Sequence, residues 1–141
     1  MRKKAQTRKR YLVFVSHSEK DGWIARQIAA QIERKCLRYG VKTFLYEKHI
    51  AGGEAIPDSI RNNIQQCDEF LVLLSRYSID RPWVLIEMGA AWALEKPIIA
   101  ITDKVTPEEM PAIIAPRRAI DLNALDEYLG QLYDRVRKAR R

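Results

Sequence analysis

Five short apolar runs recur along the chain, at Tyr11–Ser16, Val41–Tyr46, Glu69–Ser75, Pro97–Thr102 and Arg117–Leu122. Each is rich in Val, Ile, Leu, Phe or Tyr with little polar alternation, as in strands of a parallel sheet buried on both faces. Pro97 is compatible with a strand because it stands at the first position. The intervening segments switch to helical spacing. In Asp21–Tyr39, Ile24, Ile28, Ile32 and Cys36 lie four apart, and Gly40 follows as a stop signal. Glu54–Cys67 repeats the spacing with Ile56, Ile60 and Ile64, and Asp80–Glu95 places Val84, Leu85, Met88, Ala91 and Trp92 on its predicted inner face. A last helix is expected from Asn123 as N-cap, with Asp126 three residues on and Leu125, Leu129, Leu132 and Val136 buried. Asp103–Ala115, with Pro107 and Pro111, reads as a loop holding at most one short helix.

Strands alternating with helices over short connections imply right-handed crossovers and a three-layer α/β sandwich. Five strands favour the flavodoxin-like order 2-1-3-4-5. In such sheets ligands bind beyond the carboxyl ends of the strands, at the switch point between strands 1 and 3. Candidate chemistry is therefore expected just after Val15, Tyr46 and Leu74.

Composition narrows the class. The 141 residues are 47% hydrophobic and 30% charged, as in an ordinary globular domain, and the length suits one domain over 11–134. No uncharged apolar run approaches the ~18 residues of a membrane span. The apolar stretch after the basic N-terminus is too short for a secretion signal. Two cysteines, Cys36 and Cys67, make neither a disulfide framework nor a zinc set, which fits a cytoplasmic setting. The net charge of +7 is unevenly spread. Residues 1–10 hold six basic side chains and 135–141 five, with no acid in either. Of the 25 basic residues, 14 remain for 11–134 against all 18 acidic ones, so the body is near −4. The basic N-terminal tail, 1–10, and the basic end of the last helix, 135–141, are expected to be solvated rather than to bind nucleic acid.

Several standard chemistries lack their residues. There is no GxxxxGK[ST] loop, no GxGxxG turn after the first strand and no GxSxG elbow. His17 and His49 are the only histidines, too few for a usual His/Cys metal centre. A phospho-receiver needs a carboxylate pair after strand 1 and an aspartate ending strand 3, where this chain has Ser16-His17-Ser18 and Ser75-Arg76. A carboxylate within the third helix remains: in Trp83-Val84-Leu85-Ile86-Glu87 the indole and the acid share a face, with the small Ala90 and Ala91 on the next turn. Glu87 has no Lys or Arg three or four residues away, and a half-buried carboxylate without a partner costs free energy. Two explanations stand side by side: a working acid, or a structural one that caps a loop or pairs with an arginine such as Arg61 or Arg76. The second candidate is the loop Glu47–Glu54, where Gly52-Gly53 permits unusual backbone angles and a helix N-terminus follows. Two readings stand there as well: Lys48 meets a phosphate, or the segment is a helix-entry loop whose charges, His49 included, are solvated.

The segments YLVFVSHSEKDGWIA at 11–25, YEKHIAGGEAIPDSIRNNIQQCDEFLVLLS at 46–75 and RPWVLIEMGAAWALEKPIIAI at 81–101 together resemble the three motif regions of Toll/interleukin-1 receptor (TIR) domains of the bacterial, NAD-cleaving type. The likeness covers about 11–122. It implies a flavodoxin-like fold and cleavage of NAD⁺ at the nicotinamide–ribose bond, giving ADP-ribose or a cyclic isomer in anti-phage signalling. By this resemblance Glu87 matches the catalytic acid and Trp83 the aromatic that stacks on the nucleotide. Ser16, His17, Ser18 and Lys48 would line the NAD⁺ site. NAD⁺ enters as substrate, so no cofactor and no metal are implied. The resemblance further implies self-association or docking on other TIR domains, and a separately encoded sensor or effector. The chain departs from some relatives at Ser18-Glu19, where they carry basic residues, and at Ile50, where they carry an acid, so contacts from those positions are not implied. Two other functions fit the same residues: a non-catalytic TIR–TIR interaction module, and a nucleoside deoxyribosyltransferase-like enzyme acting on free nucleosides.

Overall fold

The computed structural model describes residues 10–46, 58–114 and 119–140. Five strands, β1 (Leu12–Ser16), β2 (Lys42–Leu45), β3 (Glu69–Leu74), β4 (Ile98–Thr102) and β5 (Ala119–Asp121), form one parallel sheet in the order β2-β1-β3-β4-β5. The helices are α1 (Gly22–Lys35), α2 (Asp58–Gln66), α3 (Pro82–Ala93) and α4 (Leu125–Ala139). This is the flavodoxin-like sandwich and strand order expected from the sequence.

Alternate residues of the central strands feed two cores. Val13, Val15, Leu71, Leu73 and Ile101 pack with Ile28 and Ile32 of α1 and Leu129 and Leu132 of α4. Phe14, Phe70, Val72, Leu74 and Ala100 pack with Ile60 and Ile64 of α2 and Val84 and Met88 of α3. Register places Phe14 beside both Phe44 and Phe70, with ring centroids 5.2 Å apart on either side. All six residues of β3 are buried, as a strand covered on both faces requires. Cys36 and Cys67 are both buried and are not joined in a disulfide; the Cys67 thiol donates to the Ile64 carbonyl at 3.1 Å.

Local signals hold with small shifts. α1 stops at Lys35, and a single 3₁₀ turn, Leu37–Tyr39, carries the chain to Gly40, whose φ of +64° is the left-handed conformation glycine adopts without strain. The expected N-cap at Asn123 moves: the Asp121 carboxylate accepts from the Asn123 N–H at 2.8 Å, a 3₁₀ turn follows, and α4 begins at Leu125. Among the described residues, the loop after β4 contains one 3₁₀ turn, Pro107–Glu109. The expected start of the second helix, including Ile56, and the first residues of the fifth apolar run lie outside the described residues.

α3 departs most from its expected packing. Val84, Met88 and Ala91 face inward, but Leu85 and Trp92, assigned to the core by spacing, are exposed. In a helix this uniformly apolar no polar stripe fixes the rotational phase, so packing decides it. Glu87 takes an inward position instead.

The basic end of α4 is also not simply solvated. Arg135 holds the buried Glu69 of β3 through two hydrogen bonds, Nε at 3.1 Å and Nη2 at 3.0 Å. Val136 is in the core, and Arg140 donates to the Tyr39 carbonyl at 2.9 Å. Tyr11 and Tyr128 complete the cluster, donating to the two Glu69 oxygens at 2.6 and 2.7 Å. Burial, then the adjacent Glu69 charge, pushes both tyrosine hydroxyls well above the usual phenol range, so they remain donors.

Candidate active site

The carboxyl edge of the sheet gathers polar residues that the apolar strands below cannot supply. β1 ends in Ser16, and Ser16, His17 and Ser18 are all buried. β3 passes into Ser75 and Ser78, also buried. Pro82 at the first turn of α3 then sets that helix against the same region.

Glu87 projects inward from the middle of α3 and is only 3% exposed. Its Oε1 accepts from the Ser16 hydroxyl at 2.7 Å, joining α3 to the end of β1. Neither proposed arginine partner reaches it: Arg61 lies 3.7 Å from Asp58, and Arg76 donates to the Tyr77 hydroxyl at 2.8 Å. Among the described residues no cation pairs with Glu87. Burial accordingly pushes its carboxyl up to about 8, and the Ser16 hydrogen bond only partly opposes that rise.

Trp83, one turn earlier on the same helix, is half-buried and packs against Tyr46 at the end of β2, with ring centroids 6.3 Å apart. Its indole N–H is buried and has no acceptor among the described residues. Such a donor ordinarily finds one, so an acceptor from outside that set is called for.

The remaining expected residues fall into three situations. His17 is buried beside Glu87's partner Ser16, its Nδ1 3.3 Å from the Val15 carbonyl. The Ser18 hydroxyl accepts from the Lys20 N–H at 3.3 Å and so caps the turn leading into α1. Lys48, with the whole Glu47–Glu54 loop, lies outside the described residues. The structure thus brings Ser16 and Glu87 into contact and lays Trp83 on Tyr46.

Sequence reasoning missed Asp21. This buried aspartate accepts from the Ser75 hydroxyl at 2.5 Å, tying the start of α1 to the end of β3. Ser75 in turn accepts from the Tyr77 N–H, and Ser78 bonds to Ser75 N–H and the Leu73 carbonyl. One signal pointed there: an acid three residues past the Ser16-His17-Ser18 segment that ends the first strand, in a fold whose strand ends converge.

The sequence profile of the TIR domain matches residues 13–135, nearly the whole chain. The chain belongs to the TIR-domain family. No curated protein sequence matches this TIR domain. Its fold is similar to the TIR domain of the Toll-related receptor TRR-2 from Hydra magnipapillata, with TM-score 0.67 and 19% identity over 89% of this chain and 97% of that one. A metazoan TIR-STING receptor from C. gigas, in complex with 2',3'-cGAMP, is similar at TM-score 0.64 and 19% identity, over 88% of this chain and 38% of that one. The CMP N-glycosidase BcmB of Clostridium botulinum is similar at TM-score 0.53 and 20% identity, over 86% and 96%. At such identities the likeness is one of fold.

Proposed function

We propose that this TIR domain cleaves the nicotinamide–ribose bond of NAD⁺, with Glu87 as the carboxylate that stabilises the reacting ribose. The observation that carries the reading is a buried carboxylate at the sheet's carboxyl edge, held by one serine hydroxyl and by no cation among the described residues. Its setting differs from that of Glu69, the buried acid that Arg135 and two tyrosine hydroxyls hold in place. The family's fold also supports N-glycosidic chemistry, since one similar structure is a CMP N-glycosidase.

The chemistry needs little else. The C–N bond breaks with its electron pair moving to the pyridinium nitrogen, so nicotinamide leaves neutral and no strong general acid is required. Positive charge develops on the ribose, as in glycoside hydrolysis, and a preorganised carboxylate in a water-poor site stabilises it strongly. Ser16 holds one carboxylate oxygen, leaving the other for ribose hydroxyls. Trp83 supplies a face for the nucleotide. Water attacking the ribose carbon gives ADP-ribose and releases a proton; a nucleophilic atom elsewhere in the same molecule gives a cyclic isomer. A role in anti-phage signalling, alongside a separately encoded sensor or effector, extends this proposal.

Incubation of the protein with NAD⁺, followed by chromatography for nicotinamide, ADP-ribose and cyclic isomers, tests the reading. Turnover is expected in the wild type and a loss of at least ~100-fold in Glu87→Gln, which keeps volume and removes charge. Trp83→Ala should raise the Michaelis constant by roughly 1–3 kcal/mol of lost stacking. Equal turnover by wild type and Glu87→Gln overturns the assignment. A second reading, cleavage of a nucleoside or nucleotide N-glycosidic bond, draws on the same carboxylate and on the likeness to the CMP N-glycosidase. Cytidine, deoxycytidine and CMP in parallel reactions discriminate it.

A further inference from the structure

The edge of the sheet opposite Glu87 is the basic pole of the molecule. Lys42 opens β2, and its N–H donates to the Tyr11 carbonyl at 2.9 Å, which brings the region of Arg10 beside it. α1 runs back to the same edge and continues into the Leu37–Tyr39 turn. The last turn of α4 arrives there too, where Arg140 Nη2 donates to the Tyr39 carbonyl at 2.9 Å. Segments 33–42 and 134–140 each hold four basic residues and one acid. Of those cations, Arg135 is engaged by the buried Glu69. Of the two acids, Asp134 stands 3.6 Å from Arg137, and Glu33 accepts from the Thr43 hydroxyl at 2.5 Å. The pole is therefore positive after its own pairs are set aside, although residues 11–134 taken together are acidic.

This pole is concave. A cleft of about 340 Å³ opens between the start of β2, the Leu37–Tyr39 turn and the end of α4, and Arg10, Lys42 and Arg140 line it from three separate parts of the chain. That is the small end of the ~300–1,000 Å³ range of ligand pockets, room for one small molecule. Three cations around one hollow repel one another unless an anion stands between them. A phosphate group, with several acceptor oxygens, suits two guanidinium forks and an ammonium. The rest of the wall has different chemistry. Leu37, 76% exposed, and Val41 give it an apolar side. Glu33 adds a carboxylate, which has about four acceptor positions, and the Thr43 hydroxyl takes one. An inorganic anion would use the cations alone. A ligand that uses the whole wall carries a phosphate, an apolar ring and a hydroxyl or amino donor, and a nucleotide has that combination. The broad surface of a nucleic acid or a lipid bilayer would meet the exposed rim and leave the cleft unfilled.

We infer that this cleft is a nucleotide-binding site, in which Arg10, Lys42 and Arg140 hold the phosphate and Glu33 accepts from a hydroxyl or amino group. It lies at the other edge of the sheet from Ser16 and Glu87, so it does not depend on the chemistry proposed for them.

Titration of the isotope-labelled full chain with ADP, followed residue by residue by NMR, tests it. The amides of Gly40, Val41 and Lys42 are expected to shift saturably, whether or not those of Ser16 and Glu87 also respond. Inorganic phosphate should act on the same amides at least ~10-fold more weakly, and adenosine more weakly still. Arg10→Glu and Lys42→Glu, at exposed positions with unchanged circular dichroism, should each weaken the ADP response of Gly40 and Val41 at least ~10-fold. Glu87→Gln and Trp83→Ala should leave that response as in the wild type, which separates failure of this site from failure of the enzymatic reading. Shifts confined to the carboxyl edge, an equal response to phosphate and ADP, or indifference to Lys42→Glu overturns the inference. Amides at 40–42 that answer only to an oligonucleotide, or only to phosphatidylglycerol vesicles, overturn it as well.

Discussion

Glu87 sits in an environment that opposes its charge, with one hydroxyl as its hydrogen-bond partner. Burial raises its carboxyl from the ordinary 4.5 to about 8, so the folded state holds a proton there that the unfolded state releases between those values. The sign follows: the group costs nothing below pH 4.5, and its destabilising effect grows as pH rises and levels off above 8. Fully expressed, the difference is on the order of 5 kcal/mol. Glu87→Gln lacks this titration. Its unfolding free energy should gain on that of the wild type by about that amount between pH 4 and pH 9, measured by urea denaturation at each pH. Parallel pH curves for the two proteins would show that the site is wetter than the geometry indicates. The same acid should also govern catalysis, with kcat/KM for NAD⁺ rising through an apparent value near 8 in the free enzyme. The position of Glu87 was legible in the sequence because Trp83 and Glu87 share a face by spacing alone. Its partner Ser16 was not: the 2.7 Å contact joins residues far apart in the chain, and only the sheet brings them together. The Asp21–Ser75 contact was hidden for the same reason.

At the scale of elements, strands and helices were readable because their apolar spacing is regular, and most of their inward faces followed. α1, α2 and α4 each alternate apolar and charged residues, so Ile28, Ile32, Ile60, Ile64, Leu129 and Leu132 fall inward as spacing requires. α3 has no such contrast, and there Leu85 and Trp92 were misassigned. The tie between β3 and α4 was equally invisible, since Glu69 looks like the first residue of an apolar strand and Arg135 like part of a basic end. In the fold they form a bidentate pair, with Glu69 1% exposed. Removing Arg135 leaves the buried Glu69 with only the Tyr11 and Tyr128 hydroxyls to compensate it, and removing both charges leaves those two hydroxyls without their acceptor. The Arg135 side chain is itself 38% exposed, so Arg135→Leu should lower the unfolding free energy by about 1–3 kcal/mol. In a Tyr11→Phe, Tyr128→Phe background, Glu69→Leu combined with Arg135→Leu should recover most of that loss. Additive losses in this double-mutant cycle would mean that Arg135 acts through packing of its stem rather than its charge.

Across the whole molecule, the two faces of α3 bear on the proposed chemistry through any self-association that covers the outer one. The inner face carries Glu87 to Ser16, and the outer face carries Leu85, Ile86 and Trp92 into solvent in the monomer. An element packed on one side only opens at a lower free energy than one packed on both, so a lone copy holds the carboxylate less firmly in place. Preorganisation is what makes a buried charge effective toward a developing cation, and a loosened helix forfeits it. Specific activity toward NAD⁺ should then depend on protein concentration. For a monomer–dimer equilibrium, half the chains are dimeric when total protein equals the dissociation constant, so specific activity should reach half its plateau at the concentration where sedimentation finds half dimer. Trp92→Glu, far from the reacting atoms, should move that midpoint upward at least 10-fold while leaving the plateau within reach at high concentration. Specific activity that stays constant while the dimer forms would separate assembly from chemistry. α3 would then be a catalytic scaffold whose outer face has no energetic coupling to the reaction.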